Sequence, residues 1–137
     1  ENSIRVPFIA SHPGRIPEGA VQSAIVSAYD VMPTLLDYLD LPLPQGRDLV
    51  GQSFAPLLCG EAAAGRYSVV IYDEYGNSRM VRTEEWKYVQ RYPDGPDELW
   101  DLVNDPDERH DLIDDAGQAG RVREMRALLG DGGLTEF

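Results

Sequence analysis

The sequence predicts an α+β fold in which a C-terminal helix packs on a four-stranded antiparallel meander. Three observations predict it. The chain has 137 residues and 42% hydrophobic content, which is enough for a packed core. Apolar residues recur at helical spacing before residue 60 and again near the C-terminus. Between these parts, residues 66–102 alternate with the period of two that is typical of half-buried strands.

The N-terminal part, residues 1–65, predicts one strand and two helices. The segment RVPFIAS indicates a short buried-type strand at about residues 5–11, which the turn segment HPGRIPEG closes. The apolar spacing of VMPTLLDYLD predicts a helix at about 30–40 that must end before Pro42. The segment QSFAPLLC predicts a second, short helix at about 52–59.

Two residues compete to begin the longer of these helices. Ser27 and Asp30 have the spacing of a capping box, but a helix that starts there places Pro33 well inside, at a cost of about 3 kcal/mol. If Asp30 is the N-cap, Pro33 lies in the first turn, where its missing N–H costs little. We therefore expect Asp30 to cap this helix.

The C-terminal part, residues 66–137, predicts a self-contained α+β unit. Four short segments rich in β-branched and aromatic residues follow one another: RYSVVIYDE, SRMVRT, EWKYVQRY and DELWDL. Their connections are so short that neighbouring strands must be antiparallel. A closing helix is predicted from Asp114 to Leu129, and its apolar stripe must lie on the meander. The stripe consists of Val122, Met125, Leu128 and Leu129.

Charge and cysteine content exclude several classes of function. The 24 Asp and Glu residues against 12 Lys and Arg repel a phosphate backbone, so we expect no nucleic-acid partner. Because no apolar run approaches the ~20 residues that span a bilayer, we expect no membrane span. The single cysteine, Cys59, excludes an internal disulfide framework, and its apolar surroundings indicate an inert thiol.

Three side chains are candidates for binding a substrate. His12 follows the predicted strand and could line a pocket, although a surface turn histidine beside Pro13 is the simpler interpretation. Arg82 and Lys87 place positive charge on the meander, where they could face an anionic substrate. The alternative is that these cations form cross-strand pairs with nearby acids such as Glu98.

Four blocks of sequence resemble, in their order, the C-terminal third of sulfatases, the sulfuric ester hydrolases of the alkaline-phosphatase-like superfamily. They are IRVPFIASHPGRIPEGAV, VSAYDVMPTLLDYLDLPLP, GQSFAPLLCG and RMVRTEEWKYVQRYPDGPDELWDLVNDPDERHDL. The last block holds a variant of the family's closing motif ELYDL-x-x-DP-x-E-x-x-NL, with Trp100 for Tyr and His110–Asp111 for x–Asn. The resemblance implies that residues 1–65 form the end of the family's large α/β domain and residues 66–137 its C-terminal subdomain.

The resemblance also implies chemistry that this chain does not carry. Sulfatases use a Cys or Ser within C-x-P-x-R or S-x-P-x-R, which becomes formylglycine, and a divalent cation, usually calcium. Cys59 is followed by Gly-Glu-Ala, so neither motif is present. Ten of the 22 residues from Asp94 to Asp115 are acidic, but their spacing lacks the glycine and terminal glutamate of an EF-hand loop. We expect no catalytic residue and no metal ligand here, and calcium and formylglycine in the parent protein.

The predicted function is that of the C-terminal region of a sulfate-ester hydrolase, inactive by itself, whose partner is the N-terminal catalytic domain of the same protein. Two alternatives stay open. The parent could be a phosphonate or phosphodiester hydrolase, because such relatives share this C-terminal region. The chain could also be a stand-alone binding or assembly module. In that case the strand at 5–11 needs a partner, and we expect a homodimer that pairs these strands.

Overall fold

The chain folds as two compact units that divide between Arg66 and Tyr67. The structure is a computed structural model that describes residues 4–46, 49–61, 64–72, 77–93 and 95–130. Within these residues, the first unit contains two α-helices, and the second contains a sheet followed by a third helix.

The first unit is built around two short helices. A 3-10 turn at Ala28–Asp30 leads directly into α1, Val31–Tyr38. Helix α2, Ala55–Leu58, lies inside the helix predicted at about 52–59. Helix α1 ends just before Asp40, whose φ of 54° turns the chain away from the helix axis ahead of the following prolines, as predicted.

The hydrogen bonds at the start of α1 differ from the prediction. Ser27 caps the 3-10 turn, since its hydroxyl accepts the N–H of Tyr29 and its own N–H donates to Oδ2 of Asp30 at 2.8 Å. Asp30 occupies the N-cap position of α1 and Pro33 lies in the first turn, as predicted, but the Asp30 side chain makes no capping hydrogen bond to that helix. The carboxylate instead points to the N–H of Gln52 and the guanidinium of Arg66. The capping box of Ser27 and Asp30, which we rejected because of Pro33, is therefore present, but it caps the 3-10 turn that precedes α1.

The strand predicted at about residues 5–11 is not a strand in this chain. Every strand of the described residues lies in the second unit, and residues 5–12 have no pairing in a sheet. The apolar side chains of Val6, Phe8 and Ile9 are 72%, 51% and 90% exposed. The physical reason is that a strand exists through its hydrogen-bonded neighbour, which the first unit does not supply.

The second unit is the predicted antiparallel meander. Its strands are β1 (Ser68–Tyr72), β2 (Ser78–Thr83), β3 (Trp86–Arg91) and β4 (Glu98–Asp101), in the order β1-β2-β3-β4. The register places Val81 opposite both Val70 and Tyr88, and Tyr88 opposite Leu99. Because direct cross-strand partners share a face, these residues form one apolar face of the sheet.

Helix α3, Ala119–Leu129, follows this sheet. A 3-10 turn at Ala116–Gln118 precedes it, and the side chain of Asp115 caps that turn. The α-helix therefore begins later than the predicted start at Asp114. It ends at Gly130, whose φ of 72° favours glycine, as predicted.

Helix α3 covers the apolar face of the sheet. Met125 and Leu129, two residues of the predicted stripe, are buried against Val81, Tyr88 and Leu99. The other two stripe residues are half-buried beside them. The second unit is thus the predicted α+β arrangement of a four-stranded meander packed by a C-terminal helix.

Candidate functional site

The segment ELWDLVNDPDERHDL folds as strand β4 followed by turns that carboxylates hold in place. Three of its carboxylates each accept two backbone N–H groups, at distances between 2.7 and 3.0 Å: Asp101, Asp105 and Asp111. Hydrogen bonds from the Asn104 side chain and backbone lower the pKa of Asp101. Burial alone would raise the pKa of Asp105. The hydrogen bonds from the backbone N–H groups of His110 and Arg109 outweigh burial, so the pKa is lowered. Because these carboxylates accept hydrogen bonds from backbone N–H groups, the segment has a structural role.

Two of the predicted binding residues, Arg82 and Lys87, meet on the sheet. Arg82, Lys87 and Trp100 are direct neighbours across β2, β3 and β4. Their side chains therefore share the face opposite α3. The Lys87 ammonium lies 6.0 Å from the centre of the Trp100 ring. The guanidinium of Arg82, which is half-buried, donates to the Thr83 carbonyl at 3.1 Å.

The charge of Lys87 is compensated within the protein. Lys87 is only 6% exposed, and its ammonium forms a salt bridge with Glu108. Glu108 lies in the segment ELWDLVNDPDERHDL and has a φ of 54°. The ion pair therefore connects this turn to the sheet. The cross-strand pairing that the sequence left as an alternative is present nearby, between Arg91 and Glu98. Substrate binding by Arg82 and Lys87 stays a prediction.

Asp30 is a polar centre of the first unit that sequence reasoning did not recognise. Its side chain is 2% exposed and accepts the N–H groups of Ser27 and Gln52 at 2.8 and 2.7 Å, and Nε of Arg66 at 2.7 Å. The Thr34 hydroxyl donates to the Asp30 carbonyl at 2.6 Å. Burial would raise the pKa of Asp30, but the Arg66 and backbone hydrogen bonds outweigh it and lower the pKa. An ionised and fully hydrogen-bonded carboxylate is unsuited to act as a base, so its role is structural.

The third predicted binding residue, His12, lies in a cluster on the first unit. Its Nδ1 is 2.7 Å from the hydroxyl of Tyr38, and the Arg15 guanidinium carbon lies 4.5 Å from the centre of the Tyr38 ring. The N–H groups of Arg15 and Ile16 close the turn by donating to the His12 carbonyl at 3.1 and 2.9 Å. Gly14 permits this turn, since its φ is 81°. Sequence reasoning missed Tyr38 and Arg15, because helix and turn periodicity carry no signal that they meet.

The described ranges contain no group of three or more His, Cys, Asp or Glu side chains arranged to hold a metal ion. Cys59 is a free, half-buried thiol just after α2. None of the helices that the structure describes is long and apolar enough to cross a bilayer.

Comparison with known proteins connects this fold to sulfatases. Residues 1–131 match the family described as N-sulphoglucosamine sulphohydrolase, C-terminal. The chain is 38% identical to arylsulfatase K of Gallus gallus over 122 residues, covering 79% of this chain and 22% of that protein. It is also similar to a solved structure of a protein in complex with its substrate D-glucosamine-2-N,6-O-disulfate. The TM-score is 0.77 and the identity 28%, over 88% of this chain and 26% of that one.

A second solved structure, the phosphonate monoester hydrolase of Agrobacterium radiobacter, is similar with a TM-score of 0.62. The identity is 28%, over 77% of this chain and 24% of that one. The chain therefore spans between 22% and 26% of the length of these three proteins.

Proposed function

This chain belongs to the sulfatase family, through its match to the C-terminal domain of N-sulphoglucosamine sulphohydrolase, and from this premise we propose that it serves in a hydrolase that cleaves sulfate esters. The observation that carries the proposal is the agreement of sequence and fold over nearly the whole chain. The family match covers residues 1–131, and a substrate-bound relative superposes on 88% of the chain with a TM-score of 0.77.

In this proposal the chain supplies architecture and no catalytic group. Formylglycine and calcium would provide the nucleophile and the Lewis acid of a sulfatase when bound. The residues of this chain do not fit either group, because the sequence lacks C-x-P-x-R and S-x-P-x-R and the described residues offer no cluster of metal ligands. We therefore assign both groups to other parts of the parent protein.

The proposed partner is the catalytic domain of the same protein. The first unit exposes large apolar side chains by half or more of their surface: Val6, Phe8, Ile9, Val21, Tyr29, Met32, Leu35, Leu39, Leu41, Leu43 and Val50. Many large apolar side chains left exposed on one unit indicate an interface. We propose that the catalytic domain covers it and provides the strand pairing that residues 5–11 lack. A homodimer through residues 5–11 would satisfy the same groups and is the rival arrangement.

The test is a side-by-side assay of the full-length parent protein and of the 137-residue chain. We expect the parent to hydrolyse 4-nitrophenyl sulfate and sugar sulfates, and the chain alone to release no sulfate. Light scattering on the chain checks the rival arrangement, since a stable dimer would favour it. A native gene product of 15.2 kDa would refute the proposal, because no catalytic domain would then exist.

A phosphonate monoester hydrolase is the second candidate. The observation that favours it is the fold similarity to the Agrobacterium radiobacter enzyme at a TM-score of 0.62. The same assay separates the two candidates when a matched phosphonate monoester is included. A parent that cleaves the phosphonate much faster than the sulfate ester would replace the first proposal by the second.

A further inference from the structure

We infer that His12, Arg15 and Tyr38 form a binding site for the sulfate group of a sulfated saccharide. The choice of a saccharide as carrier rests on the proposed function. The choice of a sulfate group rests on chemistry, since imidazole and guanidinium are hydrogen-bond donors that suit a tetrahedral oxyanion, while the phenol orients the imidazole. Sequence reasoning offered only His12, and the fold adds the other two.

The site is built from two elements, the end of α1 and an exposed turn. Tyr38 is the last residue of α1 and is half-buried, so the helix fixes its ring. His12 and Arg15 lie on the exposed turn that Gly14 permits, and both side chains reach this ring. The His12 and Tyr38 ring centres are 5.8 Å apart at an interplanar angle of 63°. The phenol is therefore the anchor that holds the two basic side chains together.

The hydrogen bond to Tyr38 orients the imidazole. When Nδ1 of His12 accepts the Tyr38 hydroxyl proton, Nε2 must carry the ring proton and becomes a donor. Within the described part of the chain, Nε2 has no hydrogen-bond partner of its own. It is thus available to a ligand.

Arg15 contacts an aromatic ring and pairs with no carboxylate of the described residues. Six cations of the described residues form salt bridges with carboxylates: Arg66, Lys87, Arg91, Arg109, Arg121 and Arg126. Arg121 and Arg126 also lie over aromatic rings, but both form ion pairs, whereas Arg15 makes none with any described carboxylate. A guanidinium that contacts a ring and has no carboxylate partner keeps N–H groups free for bidentate contact with an oxyanion.

The overall charge of the chain opposes the ligand and limits its affinity. A net charge of −12 repels sulfate at long range, but physiological salt screens charges beyond about 8 Å. The exposed carboxylate of Asp37, next to Tyr38, accepts a hydrogen bond from the Ser53 hydroxyl. We therefore expect weak binding, with a Kd of about 1 mM, that declines as salt is added.

The experiment is a titration of the 15N-labelled 137-residue chain, followed by NMR at constant ionic strength. The probes are D-glucosamine 6-sulfate, D-glucosamine and sodium sulfate. We expect the sulfated sugar to shift the amide signals of Arg15 and Ile16, the unsulfated sugar to leave them unchanged, and free sulfate to bind more weakly. Arg15→Gln should weaken binding at least about tenfold, since a charge-assisted hydrogen bond is lost. Tyr38→Phe and His12→Gln should each weaken it by a smaller factor.

Arg123→Gln is the matched control, because Arg123 is also exposed and lies on the second unit. It should leave binding unchanged. Equal losses in Arg15→Gln and Arg123→Gln would overturn the site and indicate unspecific attraction to positive charge. Equal binding of free sulfate and sulfated sugar would overturn the saccharide assignment. Because binding is measured without turnover, an inactive parent refutes the proposed function and leaves this result untouched.

Discussion

The two units of the chain bury their apolar side chains to very different extents. In the second unit Tyr88 and Leu99 are 0% exposed beneath α3, whereas in the first unit Ile9 and Val21 are 90% and 92% exposed. The second unit is stabilised by a hydrophobic core of its own. The first buries Ile25, Phe54 and Leu57 and is organised by hydrogen bonds around Asp30, but it leaves many other apolar side chains exposed. Because exposed apolar surface indicates an interface, the first unit is the one for which we propose a partner.

The largest expected effect comes from deleting apolar volume in each unit. Leu99→Ala should lower the free energy of unfolding of the second unit by about 3 kcal/mol, because it leaves a cavity in a closed core. Ile9→Ala should have almost no effect on the isolated chain, because that side chain is already in solvent. Urea unfolding and amide hydrogen exchange would measure both. Comparable losses in the two variants would contradict the contrast between the units.

The next effect tests the polar organisation of the first unit. Asp30→Asn removes the charge that pairs with Arg66 and should cost about 2 kcal/mol. This is below the usual cost of breaking a buried pair, because the Arg66 side chain is 19% exposed and keeps some contact with water. The amide of Gln52, which donates to Asp30, should lose protection from hydrogen exchange. Glu18→Gln, a change at an exposed acid, is the control and should leave stability unchanged.

A smaller effect concerns the hydrogen bonds that join α3 to the sheet. The hydroxyl of Tyr88 donates to Asp97 at 2.5 Å and accepts from Nε of Arg126 at 3.0 Å. Burial and the bond to Asp97 raise the pKa of Tyr88. Tyr88→Phe should destabilise the second unit by about 1 kcal/mol, since one buried hydroxyl is lost while its two partners stay paired. Equilibrium unfolding is the readout, and the amide exchange of the first unit should not change.

Acidification should produce the smallest difference between the units. The pKa values of Asp30 and Asp101 lie below the ordinary 3.8 in the folded protein, so the unfolded chain binds more protons than the folded one as pH falls. Their contribution to stability is therefore present above pH 3.8 and is lost as pH falls through the folded values. Unfolding curves between pH 7 and 3 should show this loss in both units. In Asp30→Asn the loss should shrink in the first unit alone.

The local sequence pattern was sufficient to predict the fold of the second unit. The alternation of apolar residues along β1 to β4, and the stripe that includes Met125 and Leu129, state which side of each element is buried. Since the connections are short, the order of pairing followed as well. The end of α3 was predicted at Gly130, but its start was not, because the mostly polar residues 114–118 carry no apolar repeat that would separate a 3-10 turn from an α-helix.

The site residues show where such reasoning stops. Arg82 and Lys87 could be chosen for their charge, but only the register brings them together, and only the turn at Glu108 neutralises Lys87. His12 could be chosen for its position after a predicted strand, whereas its contact with Tyr38 joins residues that are 26 positions apart.

The amino-acid sequence alone specifies what depends on near neighbours: the helical and alternating periods, the turns, the excess of acid and the family resemblance. Tertiary structure decides what depends on distant partners. Asp30 has the sequence features of a helix cap, but Arg66 and Gln52, which approach it from later parts of the chain, make it a buried ion pair. Residues 5–11 have the composition of a strand, but hydrogen bonds to a neighbour make a strand, and no segment described in the first unit offers them.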